Sequence, residues 1–152
     1  MKKRRLQIVL LLLALAVQGF AAGVERLSVP SASMNKEIPV LVVLPDIALA
    51  SEGGNCPVVY LLHGYGGNAE TWLTVKPDLP QIADQKGIIF VCPDAQNSWY
   101  WDSPVDSAFR YDTFVASELV GYIDLHYKTI AERKGRAIAG LSIRTRSEPV
   151  GA

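Results

Sequence analysis

The chain has 152 residues, fifteen Lys or Arg against fifteen Asp or Glu, and 49% hydrophobic side chains. With no net basic charge it lacks the face that a nucleic-acid partner requires. Its length suits one ordinary domain and is too short for two.

Lys2, Lys3, Arg4 and Arg5 precede an unbroken apolar stretch from Ile8 to Val17, which gives way to the small residues Gly19, Ala21, Ala22 and Gly23. A membrane-spanning helix needs about 20 apolar residues. This run is shorter and ends in an A-x-A-like site, the pattern of a cleavable secretory leader. Residues 1–22 are therefore read as a signal peptide cut after Ala21 or Ala22. The product is expected in the periplasm or outside the cell, with no stable membrane anchor. Four basic residues leave with the leader, so the mature chain is mildly acidic.

From Val24 to Pro45 the pattern alternates, with Val29, Ile38, Val40, Val42 and Leu44 at β-favouring positions around the polar turn Ser33 to Glu37; this predicts an antiparallel hairpin. After the surface loop Ser51 to Asn55, the continuous apolar run Pro57 to Leu62 marks a strand buried on both faces of a largely parallel sheet. A glycine-rich turn, His63-Gly64-Tyr65-Gly66-Gly67-Asn68, ends it. Ala69 to Ile82 is weakly helical and interrupted by Pro77 and Pro80. Gly87 to Pro93 is a second buried strand. An exported protein invites a disulfide between its two cysteines, yet Cys56 opens the first of these strands and Cys92 closes the second. In parallel neighbours the sulfurs would stand roughly 15–20 Å apart at about 3.3 Å per residue, too far to bond. Two unpaired thiols are expected.

The loop Asp94 to Asp106 gathers Trp99, Tyr100 and Trp101. Ser107 to Tyr127 then carries apolar residues at 111, 114, 115, 119, 122 and 123, steps of three and four that predict a helix with Asp106 or Ser107 as N-cap. Ala137 to Leu141 is a third buried strand. Strands alternating with helices give an α/β sheet with right-handed crossovers, and such sheets bind ligands beyond the carboxyl ends of their strands. The glycine turn, the aromatic loop and Ser142 all fall on that edge. Asp94 reads as a turn residue and His126 as an exposed or capping histidine.

In order and spacing, Leu61-Leu62-His63-Gly64-Tyr65-Gly66-Gly67-Asn68, Val91-Cys92-Pro93-Asp94, Asn97-Ser98-Trp99-Tyr100 and Ala139-Gly140-Leu141-Ser142 resemble the esterase D-like family of α/β-hydrolases. That family includes tributyrin esterases, S-formylglutathione hydrolases, and feruloyl and acetyl-xylan esterases. The resemblance implies the N-terminal part of an α/β-hydrolase sheet: a hairpin plus three parallel strands with crossover helices, the C-terminal strands and helices missing. It implies serine-type hydrolysis of a carboxylic ester, with Ser142 as nucleophile and the backbone N–H groups of Tyr65, Gly66 and Ile143 as oxyanion donors. His63 and Gly64 would shape the donor turn, and Trp99, Tyr100 and Trp101 would line the substrate pocket. No cofactor and no metal are expected. The substrate would be a small-molecule or carbohydrate ester, the latter favoured for an exported protein.

The sequence departs from the family pattern directly after the serine. A G-x-S-x-G elbow needs a fifth residue without a side chain, and Arg144 stands there. Residues 144–152 have no helical apolar period. The chain therefore reads as signal peptide 1–22, incomplete hydrolase domain 23–143 and non-family tail 144–152, the product of a truncation or frameshift. The triad acid and histidine, which follow the serine in this family, are absent. Such a chain is expected to be inactive as written, with an open sheet edge available for self-association. The alternatives are a non-catalytic exported module that binds a carbohydrate or ester, and a truncated gene product without function.

Overall fold

The computed structural model describes residues 23–141. The leader 1–22, Ser142, Ile143 and the tail 144–152 lie outside the described residues. The elements in chain order are β1 (Gly23–Ser31), β2 (Lys36–Leu44), α1 (Asp46–Leu49), β3 (Val58–Leu62), α2 (Thr71–Val75), α3 (Leu79–Lys86) and β4 (Ile89–Pro93). A longer helix, α4, follows in three joined segments, Tyr111–Thr113, Phe114–Leu119 and Val120–His126, and β5 (Arg136–Gly140) closes the series.

The five strands form one sheet in the order β1-β2-β4-β3-β5. β1 and β2 are the expected hairpin, paired from Gly23↔Leu44 to Ser31↔Lys36, and β2 also runs antiparallel to β4. β3 lies parallel to both β4 and β5. Side chains alternate between faces along each strand, so the sheet carries two cores. Val40, Val42, Tyr60, Ile89 and Val91 pack under α4, with Tyr111, Phe114, Leu119 and Ile123 meeting them. Leu41, Val43, Leu61 and Phe90 pack on the other face against Leu79 and Ala83 of α3 and Trp72 of α2. β4 is buried at every residue, as its apolar run predicts. Cys56 and Cys92 are both free and buried, and they belong to opposite cores.

Three local expectations are corrected. The weakly helical stretch resolves into two short helices, because Pro77 has no N–H to continue α2 and Pro80 sits in the first turn of α3, where none is needed. α4 starts at Tyr111 and not at Ser107, since its orphan amides are met from a distance: Asp102 Oδ1 accepts the Thr113 N–H at 3.0 Å and Oδ2 its hydroxyl at 2.5 Å. Asp106 instead closes its own turn by accepting the Ala108 N–H. The wider π-helical turns of residues 114–119 keep Val115, Leu119 and Ile123 on the sheet at steps of four. The third apolar run does form a strand, but Ala137 to Gly140 are exposed, Ile138 at 63%. Among the described residues β5 pairs only with β3, and neither helix layer reaches across it.

Glu118 fixes α4 to the hairpin turn by accepting from Ser31 Oγ at 2.6 Å and the Ser33 N–H at 2.7 Å. The connection after β3 leaves toward α2 and α3, and the connection after β4 leaves toward α4 on the opposite face. Between those two strand ends a crevice must open.

Candidate active site

Two loops meet in that crevice: residues 63–68 after β3 and 94–110 after β4. His63 joins them. Its side chain is 1% exposed. Nε2 accepts the Ala95 N–H at 3.0 Å, which leaves the ring proton on Nδ1, donated to Gly64 O at 2.7 Å. The His63 N–H donates to Tyr100 Oη at 2.9 Å, and the Tyr100 ring meets the imidazole edge-on at 5.5 Å. Burial pushes the Tyr100 hydroxyl above its ordinary range, so it stays a neutral hydrogen-bonding group. His63 is thus a structural clamp between the loops.

The glycines of the turn have separate reasons. Gly66 sits at φ +75°, open to glycine and strained for other residues. A Cβ on Gly67 would lie 2.8 Å from both His63 Nδ1 and Thr71 Oγ1, so only a hydrogen fits. The Gly67 N–H closes the turn onto Gly64 O at 3.0 Å. The Gly66 N–H, a sequence-predicted oxyanion donor, is already donated to Asn97 Oδ1 at 2.8 Å. The Tyr65 N–H donates to no acceptor among the described residues. Of the two donors expected from this turn, Tyr65 is the one left available.

The aromatic loop holds unusual backbone. Gln96, Trp99 and Tyr100 have φ of 51°, 57° and 55°, left-handed values that cost about 1 kcal/mol or more in non-glycine residues. The strain aims Trp99 at the turn: its ring stacks on Tyr65 at 5.7 Å and 29°, both side chains being largely exposed. Tyr100 points down onto His63. Trp101 is half-exposed and lines neither the small crevice beside the glycine turn nor the larger cleft beside β5.

β5 delivers the chain to the same place. The Leu141 N–H donates to Leu62 O at 3.0 Å, and that carbonyl also accepts the Trp72 indole N–H at 3.1 Å. The last described residue therefore lies beside the start of the glycine turn. Ser142 and Ile143 follow it, outside the described residues. Asp94 serves its turn by accepting the Gln96 N–H at 2.8 Å, and its carboxylate stands 3.7 Å from His63 Nε2. His126 is exposed, stacked on Tyr122 at 4.0 Å with Nδ1 on Tyr122 O. Sequence reasoning missed the roles of Ala95 and Asn97: a backbone amide leaves no trace in composition, and Asn97 was visible only as part of a motif.

The described residues include no helix long and apolar enough to cross a membrane. Residues 31–143 match the Esterase family model, described as "Putative esterase". Over 108 residues the chain is 37% identical to Esterase Rv1288 of Mycobacterium tuberculosis, covering 68% of this chain and 23% of that protein. A solved ferulic acid esterase superposes with a TM-score of 0.70 at 29% identity, over 83% of this chain and 50% of that one. An S-formylglutathione hydrolase from Agrobacterium tumefaciens superposes with a TM-score of 0.71 at 22% identity, over 83% and 51%. The chain spans about half the length of these solved structures and less than a quarter of the mycobacterial protein.

Proposed function

The chain belongs to the esterase D-like family of α/β-hydrolases, and from that premise we propose that its glycine turn and Ser142 are the acyl-transfer centre of a serine esterase. Ser142 is the nucleophile. The amide of Tyr65, joined by that of Ile143, stabilises the oxyanion. The observation that carries this reading is the Tyr65 N–H, without an acceptor among the described residues and held on a turn fixed by His63 and Asn97 at the point where β5 hands the chain to residue 142. The stacked Tyr65–Trp99 pair supports an apolar or sugar-bearing ester above the turn. A carbohydrate-linked carboxylic ester is the favoured substrate, as the similarity to a ferulic acid esterase suggests. The apolar leader supports export to the periplasm or the medium.

These 152 residues hold two histidines, and neither is free beside the glycine turn. His63 Nε2 is occupied by the Ala95 amide, and His126 is stacked at the far end of α4. Neither of them stands free beside the glycine turn to take the proton from Ser142, so these 152 residues alone should turn an ester over slowly. The exposed aromatic pair also favours a second reading, a non-catalytic module that binds the ester or sugar. A fluorophosphonate probe tests the first reading. Labelling confined to Ser142, and far slower than in an intact serine hydrolase, supports it. Rapid labelling overturns the claim that neither His63 nor His126 acts as base, and labelling elsewhere overturns the assignment of Ser142.

A further inference from the structure

Where the hairpin meets the start of α2, the fold leaves a pocket of about 260 Å³, just under the roughly 300–1,000 Å³ of drug-sized sites and suited to a single sugar ring. Arg26 and Leu41 are register partners, and Pro39, two residues before Leu41, shares their face of the sheet. Pro39, Leu41 and Ala69 supply apolar surface, and Arg26, Asn68, Glu70 and Asp94 supply the polar wall. β2 stands three strand spacings from β5, about 14 Å at about 4.8 Å each. The pocket is therefore framed by the hairpin and by the loops after β3 and β4.

The polar wall is held in place from within. Arg26 and Glu70 form a two-point pair, Nε to Oε1 at 2.6 Å and Nη2 to Oε2 at 3.0 Å, which leaves three of the five guanidinium N–H groups without an acceptor among the described residues. Asn68 Oδ1 accepts the Glu70 N–H at 2.8 Å, so the orientation of its amide is set and both Nδ2 protons remain to be donated. Asp94 accepts the Gln96 N–H on Oδ1, and its Oδ2 accepts from no described residue. All four side chains reach solvent; even Asp94, the least open, is 23% exposed. A ligand therefore meets donors and an acceptor already oriented, with less side-chain freedom to lose on binding.

The charges narrow the ligand. Glu70 is neutralised by Arg26, which leaves the single negative charge of Asp94. An anion is repelled, and a cation finds one free carboxylate with donors on either side of it. Sugar hydroxyls both donate and accept, so a neutral ring satisfies Asn68, Arg26 and Asp94 together while a C–H face rests on Pro39 and Leu41. We propose that this pocket is a subsite for a neutral sugar ring of a glycan. Asn68 closes the glycine turn and Asp94 opens the aromatic loop, so the pocket shares its wall with the candidate active site. Asn68 is three residues from Tyr65, their Cα atoms no more than about 11 Å apart, and one short glycan chain can occupy both places. The link to ester cleavage rests on the reading of Tyr65 and Ser142 as the acyl-transfer centre, whereas sugar binding at the pocket does not.

Titration of the ¹⁵N-labelled full chain with cellotriose, xylotriose, maltotriose, trigalacturonate and the glucosamine trimer, followed by amide chemical shifts, tests it. At least one neutral trimer should shift the amides of Leu27, Leu41, Asn68 and Glu70 saturably, with trigalacturonate about 10-fold or more weaker. Asp94→Asn keeps an acceptor for the Gln96 N–H and replaces the free acceptor by a donor; it should weaken the neutral trimer by about 3- to 10-fold. Pro39→Trp covers the apolar surface and should abolish the shifts, with far-UV circular dichroism preserved. Should Asp94→Asn fail to fold, Pro39→Trp decides alone. No binding by any neutral trimer, or indifference to both substitutions, overturns the subsite and leaves the assignment of Ser142 to the fluorophosphonate probe. Shifts confined to Tyr65 and Trp99 overturn it in favour of the aromatic pair as the sugar platform, and a glucosamine trimer about 10-fold tighter than the neutral ones overturns it in favour of a cation site.

Discussion

The imidazole of His63 accepts the backbone N–H of Ala95 at 3.0 Å, and that bond ties the end of β3 to the end of β4. Because both ring nitrogens are engaged, Nε2 by Ala95 and Nδ1 by Gly64 O, the histidine nearest the candidate site is a fastener and not a proton acceptor. His63→Ala leaves the Ala95 amide buried without a partner and opens a void beneath Tyr100. We expect a loss of about 2–4 kcal/mol, read as a lower urea midpoint with an unchanged slope.

Gly67 has no room for a side chain, since a Cβ would stand 2.8 Å from His63 Nδ1 and Thr71 Oγ1. Gly67→Ala should cost about 1–3 kcal/mol through displacement of the clamp. Gly54→Ala, where a Cβ meets nothing within 4 Å, should change stability by less than about 0.5 kcal/mol. Thermal melts of the two variants side by side check this; equal losses would mean that the turn is not tightly packed.

Asp102 caps α4 from eight residues before its last loop residue, Arg110, and its hydrogen bonds from Thr113 hold its carboxyl below the usual range. A depressed folded-state value means that the ionised cap stabilises the fold above the ordinary carboxylate range, near pH 4, and that this contribution fades as the pH falls through it. Asp102→Asn should be less stable than the parent at pH 7, with the gap closing toward pH 3. A gap that stays constant across that range would remove the charge from the explanation.

Burial pushes the Cys92 thiol up to about 12 and raises that of Cys56, and burial likewise raises Tyr60, Tyr100 and Tyr127. All five groups are neutral when folded and would ionise more readily when unfolded. The stability they confer is complete below the ordinary thiol value of about 8.5 and is lost as the pH rises from there toward 12. The native protein should resist iodoacetamide at pH 8, react at both cysteines in urea without prior reduction, and unfold in alkali between those limits.

Much of the frame was legible in the sequence. The runs at Val58–Leu62 and Ile89–Pro93 have to be buried on both faces, and the alternation before Pro45 allows little besides a hairpin. What escaped was set by tertiary neighbours. Ala137 to Gly140 are as apolar as a central strand, yet their exposure depends on what lies beside β5. The start of α4 depends on Asp102, which no local capping pattern reveals. Gly66 stood beside Tyr65 as a candidate donor until Asn97, 31 residues away, took its amide. The positive φ of Trp99 and Tyr100 was equally hidden, because nothing in an aromatic triplet announces left-handed backbone.

Turnover of p-nitrophenyl acetate by the purified, monodisperse 152-residue chain, beside its Ser142→Ala variant, tests the central claim most directly. With neither histidine free beside the glycine turn, the parent should hydrolyse the ester on the order of a millionfold more slowly than an enzyme with its triad in place, and the difference between parent and variant should be at the limit of detection. A Ser142-dependent rate of about 1 s⁻¹ or more, ordinary for an enzyme, would contradict the account, because a proton acceptor would then be at work that neither His63 nor His126 provides.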